Sequence, residues 1–273
     1  MKLGLEAGAH TLDLAVEEGI KGGSIGADQL GEAGVKETLA PLRDRGLEVC
    51  QIGAFGYNPL STDRERQAQQ RGMLERVIPL AAEAGCPYIT ICGGNYHPSG
   101  FGGGDARNFS SGALDAVARE LGPMLVLAER HGVRLTIEPY LKTAICSPER
   151  FLALSEKVGS EALRVNVDVT SFYGLGEMWD PTERVEQICE GLAGHYGLGH
   201  IKGIALAEGF HIHINLAPLA EDPTDWAQVL RLTAPHLPED SWMIVEHVQT
   251  PEEGRASLAQ VRAAAVEAGV ELA

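Results

Sequence analysis

Short runs of β-branched and apolar residues alternate along the chain with longer stretches in which apolar positions recur at helical spacing. Eight strand-like runs are predicted, at 2–7, 22–26, 47–54, 88–94, 134–140, 163–170, 200–206 and 242–248. Helical stretches are predicted to start near His10, Glu32, Thr62, Ser110, Pro148, Pro181 and Thr224, and a last one from Pro251 closes the chain. Several open on helix-start signatures: Ser61-Thr62-Asp63, Ser147-Pro148-Glu149, Asp180-Pro181 and Thr250-Pro251-Glu252-Glu253. Others end in a glycine that allows the chain to turn left-handed, at Gly46, Gly85 and Gly132. No long linker or low-complexity tract divides the pattern. Eight βα units therefore predict an α/β fold, a single (β/α)8 TIM barrel spanning 1–273 as one domain.

Four polar residues stand at the ends of consecutive strand-like runs: Glu138 in RLTIEPY, Asp168 in LRVNVDVTS, His200 in GHIKGIAL and Glu246 in SWMIVEH. Residues two apart on a strand share a face. Thr136 joins Glu138, Asn166 joins Asp168 and Lys202 joins His200, while Ile137, Val167, Ile201 and Val245 point the other way. The polar face is expected to line the barrel mouth, where such barrels place their active sites. A lone carboxylate there more often makes a salt bridge than binds a ligand, but four residues of matching parity on four consecutive strands reverse that preference. Three converging carboxylates repel one another unless a cation sits among them. The set Glu138, Asp168, His200 and Glu246 suits one divalent ion, Mn²⁺ or Mg²⁺ first, with Co²⁺ or Zn²⁺ as further candidates.

Composition narrows the function. The formal net charge is −16, which argues against nucleic acid as a partner because phosphate neutralisation needs clustered Lys and Arg. No apolar run is long enough for a membrane helix, so no membrane partner is expected. MKLGLEAG enters a strand-like run without a basic and then apolar lead, and the five cysteines are scattered without a CxxC pair. The expectation is a cytoplasmic protein with reduced thiols. Nucleophile-elbow and phosphate-loop motifs are missing, and GFGGGDAR lacks the strand-to-helix spacing of a dinucleotide site. Barrels with apolar outer loops commonly pair, which leaves a homo-oligomer open.

The segments IEPY, NVDVTS, HIKG, PLAEDPTDW (218–226) and VEH resemble those of the xylose-isomerase-like barrels, a group of sugar isomerases, sugar epimerases, hydroxypyruvate isomerases and inosose dehydratases. The resemblance covers essentially the whole chain. It implies that Glu138, Asp168, His200 and Glu246 hold the metal, and that Glu138 and Glu246 flank the substrate carbon that gains or loses a proton. Three positions depart from the family pattern. Ser171 stands where a substrate-contacting His is common, Gly203 replaces Asp after HxK, and 218–222 replaces a PxGxG turn.

The function expected from these parts is metal-dependent isomerisation or epimerisation of a sugar or keto-sugar, by proton transfer through a metal-stabilised enediolate. Dehydration or β-elimination on a keto-glycoside or inosose is the alternative, and a barrel that binds a sugar or a partner subunit without turnover is a third reading. Lys202 is a candidate to steady the oxyanion, and equally a structural ion pair. His97, Ser171, His213 and Trp179 are the candidate substrate contacts. The stretch at 93–108 is read as either a mobile lid carrying Tyr96, His97 and Phe101 or a loose surface loop. His247 has outward parity and is expected to be structural.

Overall fold

Ten strands and eight main helices follow one another in a computed structural model that describes residues 1–6, 8 and 10–273. The strands are β1 (Lys2–Leu5), β2 (Gly22–Gly26), β3 (Glu48–Ala54), β4 (Tyr88–Cys92), β5 (Arg134–Glu138), β6 (Leu163–Val167), β7 (Tyr196–Ile201), β8 (Gly203–Leu206), β9 (Ile214–Ala217) and β10 (Trp242–Val245). The helices are α1 (Thr11–Glu17), α2 (Ala27–Arg43), α3 (Arg64–Ala84), α4 (Ser111–His131), α5 (Pro148–Val158), α6 (Thr182–Gly191), α7 (Trp226–Thr233) and α8 (Pro251–Ala268). Strands β1 to β7 and β10 pair in parallel and close into a barrel, with β1 bonded to both β2 and β10. Strands β8 and β9 form a separate antiparallel hairpin. The (β/α)8 barrel expected from the alternation is the fold observed.

Local chemistry explains the element ends. Asp63, Ser110, Ser147 and Thr250 each accept a hydrogen bond from a backbone N–H in the first turn of α3, α4, α5 and α8. Gly85, Gly132 and Gly269 follow α3, α4 and α8 in the left-handed conformation. Barrel strands such as Tyr88–Cys92 are buried on both faces, because helices cover the outside and side chains fill the inside.

Two expectations about element bounds change. The seventh barrel strand is Tyr196–Ile201, earlier than the predicted 200–206, whose second half forms the hairpin strand β8. Glycines hide the true strand: a Cβ on Gly197 would lie 2.2 Å from Thr136 Cγ2, and one on Gly199 would lie 2.3 Å from Met243 Sδ. Bulky neighbours thus demand residues of poor strand propensity. Helix α2 starts at Ala27 rather than near Glu32, with a break at Gly34, whose φ is 77°. The end of the first predicted strand, Ala7, lies outside the described residues.

The stretch after β4 is well tied down. Asn95 Nδ2 donates to the carbonyls of Gly100 and Gly103, both at 2.7 Å, and Asn108 Nδ2 donates to Asn95 Oδ1 and the Lys142 carbonyl at the same distance. The Arg150 guanidinium donates to the carbonyls of Asn108, Phe109 and Ser110. This is a folded segment on a buried amide scaffold, in place of the loose loop that is one of the two readings of this stretch.

Candidate metal centre and active site

Glu138 ends β5, Asp168 follows β6, His200 lies in β7 and Glu246 follows β10. One ligand atom from each lies within 4.8 Å of the others, and all four residues are buried. The expected parity holds for Thr136, Asn166 and His200, which meet inside the barrel through hydrogen bonds to Thr90, Gln51 and one another.

Lys202 projects into the same cluster. Its Nζ lies 2.9 Å from Glu246 Oε1 and 3.6 Å from Glu138 Oε1, and it also donates to Asp168 Oδ2. His200 Nδ1 lies 3.0 Å from Glu246 Oε2 and 3.8 Å from Glu138 Oε2. Asp168 is held in place by Thr170 Oγ1 at 3.0 Å and Ser171 Oγ at 2.7 Å.

Electrostatics follow from this crowding. Burial and then the nearby Glu246 carboxylate push Glu138 up to about 7. Burial also opposes ionisation of Glu246, but His200 and Lys202 outweigh it and hold that carboxyl well below the usual carboxylate range. Burial lowers the His200 imidazole, yet Glu246, Glu138 and Asp168 prevail and hold it up at about 9. Lys202 is likewise held above its ordinary value, because Asp168, Glu246 and Glu138 together outweigh its burial.

The residues fit a divalent cation. Once Glu138 and His200 have given up their protons, as ligation requires, three carboxylates against the one ammonium of Lys202 leave two negative charges, which a divalent ion balances. The imidazole is also set up as a ligand. Thr90 Oγ1 donates to Gln51 Oε1 at 3.0 Å, which marks that oxygen as an acceptor. His200 Nε2, 2.7 Å from the same oxygen, must then carry a hydrogen. In the neutral ring the lone pair therefore belongs to Nδ1, the nitrogen that faces the carboxylates. In the neutral ring Asn166 Nδ2 donates to that Nδ1 lone pair at 2.8 Å, a bond an incoming ion would have to displace, and Asn166 Oδ1 is buried without a hydrogen-bond partner.

Comparison with known proteins agrees with this geometry. The family model of the xylose isomerase-like TIM barrel matches residues 2–265. The chain belongs to that family. No curated protein matches it in sequence. Among solved structures, a xylose isomerase-like TIM barrel protein from Mycobacterium smegmatis in complex with magnesium superposes with a TM-score of 0.70 at 17% identity, over 94% of this chain and 87% of that one. A D-psicose 3-epimerase in the presence of D-fructose gives 0.71 at 13%, over 98% and 100%. A probable 3-DHS dehydratase from Bacillus anthracis gives 0.67 at 18%, over 96% and 98%.

In this xylose isomerase-like barrel a cavity of about 630 Å³ opens above the cluster, with Glu138, Lys202 and Glu246 on its lining. Ser171 lines it too, and so serves both the cavity and Asp168. The other predicted substrate contacts are not brought to it. His97 bonds to Ser99 within its own loop and packs its ring against Gly103. His213 is exposed in the link between β8 and β9, and Trp179 is 66% exposed. Both sit on segments that leave the barrel, where strand parity no longer decides direction.

The structure overturns the expected outward, structural placement of His247 and brings in Glu6 and Gln51, which the sequence reading does not single out. His247 lines the cavity with its Nε2 3.5 Å from Glu246 Oε1, because β10 ends at Val245 and the chain then turns through a φ of 59°. Glu6 accepts from the His247 backbone N–H at 2.8 Å. Gln51 carried a signal: it is a lone amide among the apolar residues that follow Glu48 in the strand EVCQIGA.

The family departure at Gly203 has a steric cause. A Cβ there would lie 2.4 Å from the Ala217 carbonyl and 2.8 Å from that of Pro218. The 218–222 departure belongs to the same feature, since Asp222 Oδ2 accepts from the Ile204 backbone N–H at 2.8 Å and anchors the hairpin.

Proposed function

We propose that this protein is a divalent-metal-dependent isomerase or epimerase that moves a proton next to the carbonyl of a sugar or keto-sugar. The carrying observation is that Glu138 and Glu246, two carboxylates suited to proton transfer, line one cavity and belong to the buried four-residue donor set beneath it. Glu138, Asp168, His200 and Glu246 would hold the ion, with Mn²⁺ or Mg²⁺ the best match to the donors. The bound ion supplies polarisation of a carbonyl and acidification of the neighbouring C–H.

The protein's own part is to place two carboxylates against that carbon. One takes the proton on a carboxylate oxygen, and the other returns a proton to the opposite face or to the adjacent carbon. Lys202, which lines the same cavity, offers an N–H to the developing oxyanion. Phe101 of the 93–108 segment and Ile204, Ile214 and Leu216 of the hairpin line the same cavity. The solved neighbours include an enzyme named for sugar epimerisation and one named for dehydration, which supports an enzyme while leaving both reaction classes in play. Elimination is the second reading, favoured by Lys202: a proton-bearing group beside the carboxylates can protonate a departing oxygen.

Metal content of wild type and Glu246→Gln, followed by incubation of the metal-loaded protein with candidate sugars in deuterated water, tests the proposal. Near-stoichiometric metal, reduced in the variant, together with deuterium on a recovered sugar, is the expected result. Loss of an oxygen substituent in place of simple exchange selects the second reading. A protein that takes up no Mn²⁺ or Mg²⁺ rules out both.

A further inference from the structure

The cavity has a polar floor, and Lys142 and Asn215 add polar groups to the lining beyond it. Its walls come from separate segments and are largely apolar: Phe55 after β3, Phe101 on the 93–108 segment, Tyr140 after β5, Ile204 on β8, and Ile214 and Leu216 on β9. Phe101 and Tyr140 stand edge to face with ring centres 6.0 Å apart. Leu216 is 53% exposed and Ile214 39% exposed, so this wall carries apolar surface still open to a ligand.

The cavity's size and charge sharpen the picture. At about 630 Å³ it falls among pockets for drug-sized ligands, roughly 300–1,000 Å³, and exceeds what one pyranose fills. Among the described residues no arginine lines it, and its two lysines, Lys142 and Lys202, share the lining with the carboxylates of Glu6, Glu138 and Glu246. A phosphate would meet more carboxylates than cations there. A free monosaccharide bears hydroxyls on almost every carbon, and apolar walls would leave those hydroxyls without partners.

We infer that the substrate is a keto-glycoside with a flat apolar aglycone, its sugar ring on the polar floor and its aglycone against Phe101, Tyr140, Ile214 and Leu216. This rests on the sugar reading proposed above and narrows it. A glycoside's anomeric carbon is locked as an acetal, so the carbonyl that acidifies the C–H must be a ring ketone. A reaction that oxidises a ring hydroxyl of the glycoside must therefore supply the substrate.

The test uses Mn²⁺-loaded protein and titration calorimetry with 4-nitrophenyl and methyl glycosides of glucose, galactose and xylose. At least one aryl glycoside is expected to bind ten-fold or more tighter than its methyl counterpart. Phe101→Ser and Leu216→Ser, with folding checked by circular dichroism, should each bring that ratio down several-fold. Equal affinity for aryl and methyl forms, no measurable binding of any glycoside, or a ratio indifferent to both substitutions overturns the inference. Deuterium exchange into 4-nitrophenyl 3-keto-glucoside separates the two readings. Aryl preference without exchange in any sugar leaves the aglycone wall standing as a binding surface and removes the proposed function, and with it the claim that the glycoside is a substrate. Exchange into sugars without aryl preference does the reverse.

Discussion

At the residue scale, the site turns on how buried polar atoms choose their partners. Gln51 is the clearest case. It touches no proposed ligand atom, yet its Oε1 accepts from both Thr90 and His200 and thereby decides which imidazole nitrogen carries the hydrogen. Replacing Gln51 with Leu removes that acceptor while keeping an apolar side chain of similar reach. The ring is then free to place its lone pair on Nε2, away from the carboxylates. Supporting partners of this kind are typically worth about 10- to 100-fold in metal affinity. Mn²⁺ titration of Gln51→Leu is expected to show a loss in that range, and an affinity equal to wild type would remove Gln51 from the argument.

Among the elements, the hairpin β8–β9 separates this barrel from the simple alternation of strands and helices. It leaves the barrel directly after Lys202 and brings Ile204, Ile214 and Leu216 over the cavity. Its approach demands Gly203, because a Cβ there meets two backbone carbonyls, which cannot rotate away as a side chain can. Gly203→Ala is expected to cost about 1–3 kcal/mol, as overpacking usually does. Thermal unfolding should register this as a midpoint lower by several degrees. An unchanged midpoint would mean that β9 moves aside freely. The segment after β4 obeys a different rule, since Asn95 and Asn108 satisfy its backbone groups without any strand or long helix.

For the molecule as a whole, the cluster links metal, protons and stability. In the metal-free protein His200 holds its proton up to about 9, against an ordinary 6.5, so its stabilising contribution is complete below pH 6.5 and lost as pH rises through 9. Glu138 has the same sign: its folded form favours the protonated state up to about 7, and that contribution disappears as pH rises from 4.5 through 7. Glu246 has the opposite sign, since its depressed ionisation stabilises above 4.5 and is lost as pH falls. A divalent ion competes with the His200 and Glu138 protons. Its affinity, and the stabilisation it confers, should therefore grow between pH 6 and 9. Calorimetric scans with and without Mn²⁺ across that range should show the gain in midpoint widening with pH. A gain that shrinks over this window would mean that the ion binds elsewhere.

The barrel and the convergence of its four candidate ligands were legible in the sequence for one physical reason: both are consequences of strand periodicity. Alternation of two along RLTIE and LRVNV dictates which side chains face inward, and the βα repeat dictates that consecutive strands lie side by side. Glu138, Asp168, His200 and Glu246 converge because each stands at or next to the end of such a strand. Only the tertiary structure decided what lies beyond the strands. His247 turned into the cavity, and His97, His213 and Trp179 stayed out of it. The same holds for Lys202 sitting amid three carboxylates and Gln51 orienting a histidine 149 positions away. Contacts of that kind depend on loop paths and on distances across the barrel, which no local period encodes.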